Sequence, residues 1–187
     1  MESLKAYFHQ VGFRDEVLEK VVKSFVLQTF EKSDLVVTEG RTSKHIGLVE
    51  SALFQYFVNR DRVVITSYVS IGGTWLASVM SFVSEIPSRE NIRALTNGAV
   101  YMISKTDLRK LVHGLPAFKD FYIALLGQSI CGIDESRPDL IVLTADQRYE
   151  KLLIKDPHLL QQIPLQHLAA MLGITTRHLS RIRKNID

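Results

Sequence analysis

The sequence is poor in residues that build covalent or metal-bound frameworks. Its 187 residues include a single cysteine, Cys131, and one tryptophan. One cysteine excludes a disulfide within the chain and any zinc or iron–sulfur site that needs four cysteines. A near-absence of cysteine also fits a reducing compartment, so we predict a cytoplasmic protein.

Long apolar runs are missing as well. No stretch approaches the ~20 apolar residues that a membrane-spanning helix needs. The N-terminal segment MESLKAYFHQ lacks the apolar core of a secretion signal. We therefore expect no membrane partner.

The chain also lacks the common catalytic and metal-binding motifs. Its six histidines include no i, i+4 pair and no HExxH pattern, and it has no GxSxG elbow or glycine-rich phosphate loop. We predict no catalytic residue, no metal site and no resident cofactor, and so a protein that is not an enzyme. The composition, 46% hydrophobic and 23% charged, is that of a globular chain.

Positive charge is concentrated at the C-terminal end. From Pro164 to Asp187 there are four basic residues and one acidic residue, so this segment alone carries the net +3 of the whole chain. A local positive excess is typical of a surface that meets a phosphate backbone.

The same segment predicts two helices joined by a tight turn. Leu165, Leu168, Ala169 and Leu172 recur at spacings of three and four, which places them on one helical face. Pro164 suits the first helical turn, Gly173 suits a helix stop with positive φ, and Thr175 suits the cap of a second helix.

The second helix pairs an apolar stripe with a cationic one. Leu179, Ile182 and Ile186 share one face, and Arg177, Ser180, Arg181 and Lys184 point the other way. This is the pattern of a helix-turn-helix, whose second helix enters the DNA major groove. The alternative from spacing alone is a solvated basic helix on an ordinary helical hairpin.

Between residues 25 and 104 the pattern is that of an antiparallel β sandwich or barrel. Asn59-Arg60-Asp61 is predicted to be a hairpin loop, and residues Glu2–Ser24 before the sheet are predicted to be helical. The short apolar runs that we interpret as strands are Val26–Phe30, Leu35–Glu39, Ile46–Val49, Ala52–Val58, Val63–Val69, Asn91–Leu95 and Val100–Ile103.

Helix returns after residue 104. Ser104 or Thr106 caps a helix over Asp107–His113, and Pro116 begins a longer one, unusually apolar, whose wide stripe faces either the domain core or the same helix of a second subunit. Pro138 is expected to interrupt this helix. Thr144 is predicted to be the N-cap of the next helix, so we expect a domain boundary between Ser136 and Thr144.

The chain resembles the CRP/FNR family of bacterial transcription regulators. The resemblance is carried by LTADQRYEKLL (Leu143–Leu153), IPLQHLAAMLGITTRHLSRIRK (Ile163–Lys184) and NIRALTNGAVYMISKTDLRKL (Asn91–Leu111), and it is greatest to the short members common in Bacteroidetes-type bacteria. It implies an α+β fold with an N-terminal antiparallel β-roll (a cyclic-nucleotide-binding-like jelly roll), a long dimerisation helix and a C-terminal, winged-helix-like helix-turn-helix. Because the printed chain ends just past the second helix, no wing is expected after that helix.

The implied division is 1–115 for the β-roll, 116–143 for the dimerisation helix and linker, and 144–187 for the DNA-binding domain. The implied partners are double-stranded DNA and a second copy of the chain, with RNA polymerase as a further candidate. The family's base-reading positions fall on Thr176, Arg177 and Arg181 here. Our full set of predicted DNA-binding residues is Thr175, Thr176, Arg177, Ser180, Arg181, Arg183 and Lys184.

One family motif is altered. Cyclic-nucleotide-binding members carry a Gly-Glu pair and an Arg-Ser pair that hold the ribose and the cyclic phosphate; here these pairs fall on Ala77-Ser78 and Ser88-Arg89. Without the carboxylate and the in-register guanidinium, we predict no response to cyclic AMP, although an unknown small-molecule effector stays open. The candidates for an effector pocket are Trp75, Ser78, Met80, Phe82, Ser88 and Arg89. The simpler interpretation is that the apolar members of this set fill the core.

A second hypothesis from another class also remains. The β-roll would bind a small ligand or a protein, and the C-terminal helices would dock a protein partner instead of DNA.

Overall fold

The computed structural model describes residues 1–61 and 63–186. The chain begins with two helices, α1 (Glu2–Gln10) and α2 (Asp15–Lys23), where the sequence predicted one helical region. Gly12, with φ +103°, separates them, because it adopts a backbone conformation that disfavours other residues. Leu4 and Phe8 of α1 are fully buried in the first core cluster, which extends to Phe118.

The next part of the chain forms two four-stranded antiparallel sheets, which confirms the predicted β-roll. The first sheet has the order β1-β8-β3-β6 and the second β2-β7-β4-β5. The strands are β1 (Val26–Phe30), β2 (Leu35–Val37), β3 (His45–Ser51), β4 (Phe54–Arg60), β5 (Val63–Ser70), β6 (Trp75–Leu76), β7 (Asn91–Ala94) and β8 (Gly98–Ser104), with the short helix α3 (Val79–Ser84) between β6 and β7.

The β4–β5 hairpin has a tighter turn than predicted. Asn59 and Arg60 were expected in the loop, but they belong to β4 and pair with Val64 and Val63. Asp61, directly after β4, has φ +49°, a conformation typical of tight hairpin turns.

Two helices follow the β-roll, α4 (Lys105–Gly114) and α5 (Pro116–Val142). Of the two candidate caps for α4, Ser104 accepts a hydrogen bond from the Asp107 backbone N–H. The predicted break of α5 at Pro138 is wrong, since the helix continues through the proline to residue 142. Proline removes one backbone hydrogen bond, and Lys151 forms ion pairs with Glu135 and Asp139 on either side of residue 138.

The C-terminal part consists of α6 (Ala145–Lys155), α7 (Pro157–Gln162), α8 (Leu165–Met171) and α9 (Thr176–Ile186). Thr144 and Gln147 form a capping box at the start of α6. The sequence did not predict α7, which Asp156 caps. Within residues 145–186 the structure assigns only helices, so this part contains no β wing.

The C-terminal helices share their apolar core with the β-roll. Their buried cluster contains Leu168, Leu179 and Ile182, and it also takes in Val69 and Ile71 from the end of β5 and the residue after it. The two halves of the chain are therefore packed against each other through buried side chains.

Candidate nucleic-acid interface and effector region

The turn between α8 and α9 has the geometry that the sequence predicted. Gly173 has φ +68°, and the backbone N–H of Ile174 donates to the Ala169 carbonyl at 3.0 Å, which closes the end of α8. Thr175 caps α9, since its Oγ1 accepts from the His178 backbone N–H at 3.2 Å. Pro164 occupies the N-cap position of α8, one residue before the first helical turn in which the sequence predicted it.

One face of α9 is buried. Leu179 is fully buried and Ile182 nearly so, both in the C-terminal cluster. The side chain of Ile186, the third member of the predicted stripe, lies outside the described part of the structure. Burial of this face fixes which side of α9 meets the solvent.

The opposite face of α9 presents the predicted cations. Arg177, Arg181 and Lys184 are exposed, as are Thr175 and Thr176 at the start of the helix, and Ser180 is half-buried. None of these three cations forms a salt bridge with a carboxylate of residues 1–61 or 63–186. Unpaired cations on one exposed helical face can bond both base edges and phosphates.

Arg183 is placed differently from the other cations. It is half-buried, and its guanidinium carbon lies 5.9 Å from the centre of the Tyr149 ring. Its Nε is buried and has no hydrogen-bond partner among the described residues. Arg183 thus faces α6 of its own chain, and its contact with a phosphate stays a prediction.

Two contacts that the sequence did not reveal orient the helix pair. His178 Nε2 of α9 lies 3.6 Å from Asp146 Oδ1 at the start of α6, and Arg148 Nη2 donates to the Leu172 carbonyl at 2.9 Å. The residues involved are 24 or more positions apart, so no local pattern could have paired them. They connect both ends of the α8–α9 turn to α6.

In the altered family motif, the two serines bond to each other. Ser78 Oγ and Ser88 Oγ lie 3.0 Å apart, and each residue is only 3% exposed. Ser88 Oγ also donates to the Glu90 carbonyl at 2.7 Å. The two positions therefore do face each other, but neither presents a charged group.

The remaining effector-pocket candidates are scattered. Phe82 is buried in the first core cluster, whereas Met80 is 59% exposed and Arg89 is exposed. Trp75 Nε1 donates to the Tyr7 hydroxyl at 2.7 Å. A cleft of about 870 Å³ is lined by Trp75 and Phe82 but not by the other four candidates, so the structure does not unite the six in one pocket.

Solved structures with this architecture align with almost the whole chain. The catabolite activator protein of Thermus thermophilus is 21% identical and covers 96% of this chain and 85% of its own, with a TM-score of 0.61. A transcriptional regulator of the CRP/FNR family from Eubacterium rectale is 13% identical over 96% of this chain and 87% of its own, with a TM-score of 0.64. The chain has the CRP/FNR fold.

A third structure with the CRP/FNR fold is the c-di-GMP-responsive global regulator CLP of Xanthomonas campestris, 17% identical over 91% of this chain and 90% of its own, with a TM-score of 0.65. These three proteins are named as an activator and regulators. No protein-family model and no curated protein sequence matches the chain. The closer resemblance to Bacteroidetes-type members stays a prediction.

No helix in residues 1–61 and 63–186 combines the length and apolarity needed to cross a bilayer.

Proposed function

We propose that the chain is a sequence-specific, DNA-binding transcription regulator in the cytoplasm. The observation that carries this proposal is the outward face of α9, where Arg177, Arg181 and Lys184 stand exposed and free of carboxylate partners among the described residues. A buried apolar face holds the same helix on α8. This is the arrangement with which a helix-turn-helix presents side chains to the major groove.

The proposed contacts follow from position on α9. Arg177 and Arg181 read base edges, because a guanidinium can bond guanine O6 and N7 together. Thr176, at the start of the helix, lies beside them. The phosphate contacts are assigned to Thr175, Thr176, Ser180, Arg183 and Lys184, with Arg183 turning from Tyr149 to reach one.

We propose that the regulator is a homodimer joined along α5. Phe118, Phe121 and Tyr122 pack into the chain's own core, which accounts for one side of the apolar helix. The other side keeps a heptad pattern of apolar residues, interrupted by one arginine, that suits a coiled-coil seam. The seam positions are Ile123, Leu126, Ile130, Ile133, Arg137 and Leu140, with Ile130 66% and Leu140 62% exposed.

The dimer can be tested by sedimentation equilibrium. Ile130→Asp places a charge at a seam position that is 66% exposed and does not line the cleft of about 870 Å³, and it should convert the dimer to monomer. Ile154→Asp is the matched control, because Ile154 is 84% exposed on α6 and away from the seam. Dissociation by both variants, or by neither, would contradict the proposed seam.

In this proposal residues 1–115 form the β-roll domain, residues 116–143 the dimerisation helix and linker, and residues 144–187 the DNA-binding domain. Two copies of α9 would then read half-sites about one DNA turn apart. Activation would require a contact with RNA polymerase, whereas repression would require only occupancy of the operator.

We further propose that DNA binding does not depend on cyclic AMP. Ser78 Oγ donates to Ser88 Oγ, which in turn donates to the Glu90 carbonyl. The two buried serines offer the nucleotide neither a carboxylate for its ribose nor a guanidinium for its phosphate. The nearby Arg89 is exposed.

Fluorescence anisotropy on the chain's own upstream DNA tests the proposal. The native duplex should bind more tightly than a scrambled one, with affinity that falls steeply with salt and does not change with cyclic AMP. Equal affinity for both duplexes would refute sequence-specific recognition. Absence of any binding at low salt would instead favour a protein-docking role for the C-terminal helices.

A further inference from the structure

The cleft of about 870 Å³ lies where the β-roll, α5 and the C-terminal helices meet. Its walls include Tyr56 and Trp75 from the β-roll, Leu125 from α5, and Leu152 and Met171 from the C-terminal helices. Cavities that bind small molecules are commonly about 300–1,000 Å³ in volume and lined mainly by apolar and aromatic groups. The cleft therefore has the size and the lining for an apolar ligand.

Of the three cations in the cleft wall, only Arg148 forms no salt bridge with a carboxylate of residues 1–61 or 63–186. Arg148 is half-buried, and its Nη2 donates only to the Leu172 carbonyl. Its Nε is buried and has no hydrogen-bond partner within residues 1–61 and 63–186. No carboxylate in this same part of the chain forms a salt bridge with it.

The other two cations around the cleft, Lys151 and Lys155, are paired with carboxylates, and two carboxyls, Asp156 and Glu90, have no salt bridge among the described residues. Lys151 pairs with Glu135 at 3.0 Å and with Asp139 at 2.6 Å. Asp156 accepts from the Leu159 backbone N–H as the cap of α7. Burial raises the pKa of the Glu90 carboxyl, which favours its neutral form.

We propose that this cleft binds a small molecule with an apolar body and a single carboxylate, and that Arg148 holds the carboxylate. A guanidinium bonds a carboxylate through two parallel N–H donors, which would satisfy the buried Nε. The apolar body would lie against Trp75 and Leu125. Ala77 of the altered cyclic-nucleotide motif lines the cleft, whereas Ser78 and Ser88 do not, so the charged anchor proposed here is Arg148 of α6 and not the motif.

The same arginine connects the cleft to the helix-turn-helix. Leu172, whose carbonyl Arg148 holds, immediately precedes Gly173 in the turn between α8 and α9. A carboxylate on Arg148 would draw the guanidinium away from this carbonyl and change how α8 and α9 sit on α6. This coupling to DNA rests on the proposed function, whereas ligand binding itself does not.

Decanoate and 1-decanol form a matched pair of probes, because they share the apolar body and only decanoate has the carboxylate. Trp75 is the single tryptophan of the chain and lines the cleft, so its emission reports occupancy directly. Decanoate should give a saturable change and bind at least about tenfold more tightly than 1-decanol. Calorimetry should give the same ratio.

Three variants sharpen the test. Arg148→Gln should remove the preference for decanoate over decanol, whereas Arg109→Gln, at an exposed arginine paired with Glu85 outside the cleft, should retain it. Gly132→Phe should abolish binding of both probes, because it adds a ring to the cleft wall. A Cβ at residue 132 meets nothing within 4 Å, and phenylalanine has a higher helix propensity than glycine, so this variant keeps the fold.

Equal affinity of the two probes for the wild-type chain, or an unchanged preference in Arg148→Gln, would overturn the proposal. Unchanged binding in Gly132→Phe would place the ligand elsewhere and would also overturn it. Because Trp75 emission needs no DNA, a chain that binds decanoate but no duplex would refute the proposed function and leave the ligand site standing.

Discussion

The α8–α9 pair and the segment between β6 and β7 are the two regions where the resemblance implies a binding site, and they differ in chemistry. On α9 the cations are exposed and face outward. In the loop, Ser78 and Ser88 stand where the resemblance implies a glutamate and an arginine, and they bond each other out of contact with solvent. A shared backbone architecture therefore does not carry a shared ligand site, because each site depends on its own few side chains.

Restoring one charge to the buried loop should have the largest effect. Ser78→Glu places a carboxylate beside Ser88, whose hydroxyl cannot neutralise it. The free energy of unfolding should fall by about 3–5 kcal/mol, as for other uncompensated buried charges. Urea denaturation measures the loss.

Ser78→Ala is the matched control for that variant and should cost only about 1 kcal/mol, the value of one hydrogen bond. If Ser78→Glu were as stable as the wild-type chain, residue 78 would be open to solvent. The contrast between a buried, uncharged site here and the exposed cations of α9 would then disappear.

Next in size is the buried face of α9. Leu179→Ala removes a fully buried side chain and should lower the free energy of unfolding by about 2–5 kcal/mol. Ile154→Ala, at an exposed position on α6, should change stability by less than about 0.5 kcal/mol. Thermal or urea unfolding measures both changes. Similar losses of unfolding free energy in the two variants would show that α9 does not depend on its apolar face.

Arg181→Ala tests the outward face without touching the core. Binding to the native duplex should weaken by about 1–3 kcal/mol and specificity should relax at one base pair. Anisotropy on single-base variants of the operator locates that pair. If binding to native and scrambled duplexes fell equally, Arg181 would be a phosphate contact and not a base contact.

The smallest effect is expected at Lys184. Lys184→Ala should weaken binding to all duplexes alike and lower the slope of log affinity against log salt by about one. A salt series with the native and scrambled duplexes measures this. If Lys184→Ala changed the specificity and left the salt slope unchanged, Lys184 would be a base contact and not a phosphate contact.

The sequence predicts the helix-turn-helix well because its determinants are local. Gly173 and Thr175 act within four residues of themselves, and the three-and-four spacing of leucines decides which face is buried. Seven of the eight strands of the β-roll were predictable from the same kind of local pattern, whereas the two-residue strand β6 (Trp75–Leu76) was not predicted. The helix α7 had a local signal too, since Asp156 before Pro157 is the pattern of an N-cap and first helical residue.

The errors arise where distant residues decide the outcome. The helix α5 continues through Pro138 against proline's local preference, and Lys151 of α6 bonds Asp139 and Glu135 on either side of it. The hydroxyl pair Ser78–Ser88 depends on how the loop folds back. Likewise, the bond from Arg148 to Leu172 joins two helices whose approach no periodicity encodes.

The packing of Val69 and Ile71 into the C-terminal cluster limits how freely the two halves of this protein can be recombined. A chimera that joins this β-roll to the C-terminal helices of another regulator would expose both side chains to water unless the new helices matched them. Each loss of burial would cost about 1.5–3 kcal/mol. The residues at the end of β5 and those on α8 are therefore expected to change together during divergence, even though they belong to regions with different tasks.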